Sequence, residues 1–236
     1  MPRKHLVASQ TNKKQQMQAK LWQKLAREIK AAVKTGGTNI EANPRLKAAV
    51  DKALQHNLSR ESIERNIHGQ VKDTNELTTL EFECYGPNGL QIIVSAVTDN
   101  INRTTSNLRG YLSKLHAEIT KPNSVKIFFE KYGLIDLLKT STSSLDQIMD
   151  LTLNYQVVDI VELNDGYEVL TIPTDFYNVK KILIDHQYQI YEAEIKLISK
   201  NKIANLSSEI ESKLERFIES CNLDDDIQSV VTNYDF

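Results

Sequence analysis

The sequence has little glycine or proline, eight and five in 236 residues, too few and too scattered for a collagen-like, low-complexity or disordered chain. It has no apolar run near the roughly 18 to 20 residues that a helical membrane span needs. Its polar opening, Met1-Pro2-Arg3-Lys4-His5, lacks the apolar core of a secretory signal. A cytoplasmic protein with no membrane partner is therefore expected. There are two cysteines, Cys84 and Cys221, in apolar-periodic segments far apart. That is neither a disulfide framework nor a metal-ligand spacing, and two buried thiols are expected.

Catalytic patterns are missing too. The histidines (His5, His56, His68, His116, His186) are scattered, with none at the i, i+4 spacing of a helical zinc site. Thr35-Gly36-Gly37-Thr38 lacks the lysine of a phosphate loop and reads as a helix stop. No Gly-x-Ser-x-Gly elbow is present. Asp224-Asp225-Asp226 offers carboxylates to a hard cation, but no partner acids stand at an ordered loop spacing, so a solvated turn is the better reading. The expectation is a non-enzyme with no catalytic residues, no metal site, no cofactor and no small-molecule substrate.

What the sequence does have is charge sorted by position. Residues 1–72 carry 15 Lys and Arg against 5 Asp and Glu, and the remainder carries 14 against 26, so a net charge of −2 hides a basic front and an acidic body. Such asymmetry suggests that one part faces a polyanion, most commonly nucleic acid.

Periodicity sorts the same two parts. From about Gln15 to Lys34, Met17, Leu21, Leu25, Ile29, Ala32 and Val33 recur every three or four positions before Gly36-Gly37, which predicts an amphipathic helix with a glycine stop. Lys20, Lys24, Arg27, Lys30 and Lys34 occupy its other side. Asn43-Pro44 opens a second helix burying Leu46, Ala49, Val50, Ala53 and Leu54, and Ser59 caps a third, with Ile63 and Ile67, that Gly69 ends. Val71 to Glu76 reads as a polar link. Beyond it come a hairpin (Leu80–Cys84, turn Tyr85–Gly89, Leu90–Val97), a helix from about Asn102, and a strand at Val125–Phe129. A second cycle follows: a helix through Leu145, Ile148 and Met149, strands Val157–Leu163 and Tyr167–Ile172 about an Asn164-Asp165-Gly166 turn, helix Phe176–His186 and strand Tyr191–Ile198. Ser208-Glu209-Ile210-Glu211 resembles a capping box for a last helix, and Ile227–Val231 a last strand. One helix and one strand cannot stand alone, so they are expected to rejoin the first sheet.

The basic helices are the remaining functional feature. Lys and Arg contacts to phosphate give sequence-independent, salt-sensitive affinity. The expected phosphate-holding residues are Lys13, Lys14, Lys20, Lys24, Arg27, Lys30 and Arg45; a merely solvated basic surface is the bland alternative. Trp22 reads as core rather than a base-stacking platform. Asn102-Arg103-Thr104, after Asp99-Asn100, reads as helix capping, with Arg103 also able to meet a phosphate or carboxylate.

Several stretches carry a resemblance: Gly36-Gly37 with Asn43-Pro44-Arg45-Leu46-Lys47-Ala48-Ala49-Val50-Asp51-Lys52-Ala53, the turn Tyr85–Gly89, Asp99-Asn100-Ile101-Asn102-Arg103-Thr104, Ser124–Phe129 and Asp225-Asp226-Ile227. On these the chain resembles the YebC/PmpR family of bacterial regulators over nearly its whole length. It departs from that pattern at Pro2-Arg3-Lys4-His5-Leu6, where the family has Gly-His-Ser-Lys-Trp, and at Asn123, where glycine is usual. The resemblance implies an α+β protein: an N-terminal three-helix domain (1–72), a ferredoxin-like α/β domain (77–130 plus 204–236), and a second small α/β domain inserted in it (133–200). It also implies a DNA-binding transcriptional regulator. Because relatives are similar to a mitochondrial activator of translation, the alternative is a ribosome-associated translation factor that binds ribosomal RNA and relieves stalling.

Overall fold

The computed structural model describes residues 3–69, 77–140 and 143–234, with side chains from Met17 onward. The polar link expected at Val71–Glu76 lies outside the described residues. In chain order the elements are α1 (Arg3–Gly36), α2 (Pro44–Gln55), α3 (Arg60–His68), β1 (Thr78–Tyr85), β2 (Gln91–Thr98), α4 (Ile101–Leu115) and β3 (Glu118–Ile119). Then follow β4 (Phe129–Leu138), α5 (Leu145–Thr152), β5 (Val157–Glu162), β6 (Gly166–Thr171), α6 (Phe176–Asp185), β7 (Ile190–Ser199), α7 (Ser208–Leu223) and β8 (Ile227–Thr232). The class is mixed α+β, N-terminal helices followed by sheet-bearing structure. Residues 1–127 with 201–236 form one compact unit and 128–200 another.

In the first unit, α1, α2 and α3 enclose a core that includes Leu25, Ile29, Leu46, Ala53, Ile63 and Ile67. α1 starts well before Gln15: nothing in residues 3–14 breaks a helix, but the apolar period that announces one begins only at Met17. Its end is set by Gly37, whose φ of +82° would strain a side chain. The Asn43 side chain accepts from the Leu46 N–H at 3.1 Å and donates to Ala32 O and Gly37 O, both at 2.9 Å, so one buried amide starts α2 and ties off α1. Leu54, expected inside, is 40 % exposed because it lies off the apolar stripe of α2.

The same unit holds an antiparallel sheet of order β3-β1-β2-β8, with β1 and β2 paired from Thr78↔Thr98 to Tyr85↔Gln91. α4 and α7 supply Leu108, Leu112, Leu214 and Phe217 to a core shared with Cys84, Ile92 and Val94. The two-residue β3 was not read from the sequence; it is too short to show alternation. Val125–Phe129 is not a strand. A 3-10 turn occupies Lys126–Phe128 and β4 begins at Phe129. The turn is held by Glu83, a buried carboxylate that accepts the N–H groups of Asn123 (2.6 Å), Val125 (2.6 Å) and Lys126 (2.8 Å). Asn123 has a φ of 63°, a left-handed conformation that suits glycine and that asparagine tolerates. The α7 cap is Ser207, which accepts from the Ile210 N–H, one residue before the expected Ser208.

The second unit runs β4-α5-β5-β6-α6-β7 and forms an antiparallel sheet of order β5-β6-β4-β7. This β-α-β-β-α-β connectivity buries Ile135, Leu137, Ile148, Val169, Val179 and Leu183 between sheet and helices. Gly166 is required by close approach, since a Cβ there would sit 2.0 Å from the Leu137 carbonyl oxygen.

Candidate nucleic-acid interface

Lys20, Lys24 and Arg27 stand at i, i+4 and i+7, so helical geometry puts them on one stripe of α1. That stripe faces the C-terminal end of α7. The Lys20 ammonium donates to Leu223 O at 2.7 Å and Lys24 to Cys221 O at 3.2 Å. The last carbonyls of a helix lack intrahelical partners and carry the negative end of its macrodipole, which suits ammonium donors. Arg27 continues the seam, donating to Asp225 O at 3.2 Å and to Asp226 Oδ1 at 2.6 Å. Lys24 is 7 % exposed. Burial pushes its pKa down, against the opposing pull of Asp224, Cys221 and Asp225.

Asp226 is the centre of this arrangement and is 3 % exposed. Its Oδ2 accepts from Arg103 Nη2 at 2.6 Å and Nε at 3.2 Å, and the hydroxyls of Thr104 and Thr98 lie 2.9 and 3.2 Å away. Burial alone would raise its pKa, but the bonds from Arg103, Arg27 and Thr104 outweigh that and hold it below the usual value. Asp224 accepts from Tyr111 Oη at 3.0 Å and Asn107 Nδ2 at 3.2 Å. Asp226 is therefore an internal hub on which arginines and threonines distant in sequence converge, where a solvated turn was expected for the whole run; Asp224 is half-buried, and Asp225 alone is exposed. Asn102-Arg103-Thr104, expected to cap the helix, lies inside α4; the cap is Asn100, which accepts the Arg103 N–H at 3.0 Å, and Arg103 and Thr104 bind Asp226.

The other expected interface residues lie elsewhere. Lys30 is exposed on a different stripe of α1 and has no hydrogen-bond or ion-pair partner among the described residues. Arg45, exposed on α2, donates to Thr79 Oγ1 at 2.9 Å. Lys13 and Lys14 belong to α1, and their side chains lie outside the described ones. The single outward array expected from the sequence is thus split: three cations meet the body, one faces solvent, and one bridges α2 to β1. Trp22, read as core, is 38 % exposed at the bundle edge and donates from Nε1 to His56 O at 2.9 Å. The Cys84 and Cys221 thiols are both buried, which pushes each pKa up to about 12.

Among the described residues no group of three or more His, Cys, Asp or Glu is placed to hold a metal ion. No described helix is long and apolar enough to cross a membrane. The geometry offers a long helix fixed along one stripe, with Lys30 exposed on another and without a partner among the described residues.

Comparison with known proteins agrees with this architecture from end to end. A family model described as the TACO1/YebC protein N-terminal domain matches residues 3–72, and one described as the TACO1/YebC second and third domain matches residues 77–234. A "probable transcriptional regulatory protein" of Ureaplasma urealyticum is 52 % identical over 235 residues, covering 100 % of this chain and 99 % of the relative. One of Thermotoga petrophila is 34 % identical over 237 residues, covering 98 % and 90 %. A solved structure of a conserved hypothetical protein from Aquifex aeolicus aligns with a TM-score of 0.76 at 29 % identity, covering 92 % of this chain and 90 % of that one. On two family models that together span nearly all of its residues, the chain belongs to the TACO1/YebC family.

Proposed function

We propose that the protein is a non-catalytic, cytoplasmic, nucleic-acid-binding regulator of gene expression, acting on duplex DNA through the solvent-facing bases of its N-terminal helices. The observation that carries this reading is the charge of residues 1–72, where 15 Lys and Arg outnumber 5 Asp and Glu. Setting aside Lys20, Lys24, Arg27, Lys34 and Arg45, which have partners, and the ion pairs Lys47–Glu41 and Arg65–Glu61, leaves eight bases against three acids. The relatives named as transcriptional regulators support the same reading. Within the seven residues first singled out, Lys13, Lys14 and Lys30 are assigned to phosphate. Lys20, Lys24, Arg27 and Arg45 are assigned to holding the helices in place. The three-domain division implied by the sequence fits this separation of a contacting module from an acidic body.

The test is duplex DNA binding against salt concentration. With three phosphate contacts supplied by Lys13, Lys14 and Lys30, the triple change to Glu should remove about 2.7 from the slope of log K on log salt, at roughly 0.9 per phosphate. The thermal midpoint should stay where it was. An unchanged slope rejects the interface. Binding that prefers ribosomal RNA in direct competition rejects duplex DNA as the target while keeping the surface.

A further inference from the structure

Alongside the seam, α1 and α7 leave a groove of about 590 Å³, within the range of small-molecule sites, roughly 300 to 1,000 Å³. Its walls are apolar: Met17 and Leu21 from α1, Ile218 and Leu223 from α7. Two buried donors border it. Lys24 is buried and spends one hydrogen bond on Cys221 O, although an ammonium carries three protons. Gln228 borders the same groove, and its amide nitrogen is buried with no hydrogen-bond partner among the described residues.

Gln228 is there because of a bulge. β8 pairs with β2 at Ser95↔Ser229 and Ala96↔Ile227, so Gln228 is the extra residue between them. Bulges re-aim a side chain, and an unpaired buried amide at one is the kind of group a ligand satisfies. Lys20 adds a second ammonium, already bonded to Leu223 O. The remaining polar lining, Glu215, Glu219 and Asn222, is exposed and so forms the rim. Glu215 and Glu219 on the rim, and Asp224 and Asp225 near Lys24, disfavour a phosphate dianion, which leaves an anion of single charge for the two ammonium groups. The apolar walls select a hydrocarbon body.

We propose that this groove binds an amphipathic monocarboxylate, whose carboxylate accepts from Lys24 Nζ and Gln228 Nε2 while its hydrocarbon lies against Met17, Leu21, Ile218 and Leu223. The proposal goes beyond nucleic-acid binding and does not depend on it.

Decanoate is the probe, titrated into the full chain by calorimetry and followed at the Gln228 side-chain amide by NMR. One molecule is expected per chain, with the Gln228 amide resonances displaced. Decanol and decyltrimethylammonium should bind at least tenfold more weakly, since neither offers a charged acceptor to the Lys24 ammonium. Lys24→Met, which removes a buried charge at similar volume, should weaken decanoate by tenfold or more. Ile218→Trp fills the groove from α7 and should abolish binding. The proposal is overturned by any of three results: no saturable decanoate binding, equal affinity for the cationic amphiphile, or decanoate affinity retained in both variants. A protein partner captured by the groove in place of decanoate overturns it as well.

Discussion

Asp226 accepts from Arg27, Arg103, Thr98 and Thr104, side chains contributed by α1, the end of β2 and α4. Asp226→Asn leaves two arginines facing a neutral amide and should cost about 2 to 4 kcal/mol in urea denaturation, the larger figure applying where a buried pair is broken. The folded carboxyl has a depressed pKa, so its stabilisation is complete above the unfolded value and is lost as pH falls through the folded one. Wild type should therefore lose thermal midpoint below about pH 4 more steeply than the asparagine variant. Asp136 has the opposite sign. Burial first, then Glu168 and Glu194, raise its pKa against the opposing effect of Lys196, and its Oδ1 has no hydrogen-bond partner among the described residues. Its charged form is a burden on the folded state that grows as pH rises from the unfolded pKa to the folded one. Asp136→Asn should raise the thermal midpoint at pH 7 and do nothing below about pH 3; a lowered midpoint at neutral pH would refute this. Neither role is legible in one sequence. Glu83 and Asp226 sit in polar-looking contexts, and their burial depends on partners that only the folded chain brings near.

At the scale of elements the sequence was more informative, because helices and hairpins are announced by neighbours. Asn43 and Ser59 are side-chain caps where local pattern places them, and the α4 cap is Asn100, two residues ahead of the expected Asn102. Asn43→Ala removes the α2 cap and leaves the Ala32 and Gly37 carbonyls short of a donor, so a loss of about 2 to 3 kcal/mol is expected by denaturant titration. The α7 start tests which of two adjacent serines is the cap. Ser207→Ala should cost about 1 kcal/mol and Ser208→Ala only a few tenths, and the reverse order would restore Ser208 as the cap. That mistake, like the 3-10 turn at Lys126–Phe128 and the short β3, arose where the deciding bond is made to a single side chain or to a distant strand. α1 shows the limit of periodicity itself: the apolar stripe and the presence of bases were both visible, but not which bases face α7 and which face solvent.

Across the whole molecule, charge segregation was plain in the composition, whereas its use was not. Lys20 and Leu223 are 203 positions apart, and no periodicity links them. The seam explains why a variant chosen from sequence alone would mislead. Lys24→Glu would put a carboxylate beside the α7 carbonyls and near Asp224, so it should lower the thermal midpoint by several degrees, while Lys30→Glu should leave it within experimental error. Differential scanning calorimetry of the two single variants makes the comparison, and equal midpoints would contradict the seam. The position of Asp226 in the chain has a further result for synthesis. A ribosome makes α1, α2 and α3 first, and their own core lets them fold as they emerge, yet the carboxylate that fastens α1 arrives some two hundred residues later. For most of its manufacture the nascent protein must carry its cationic first helix undocked.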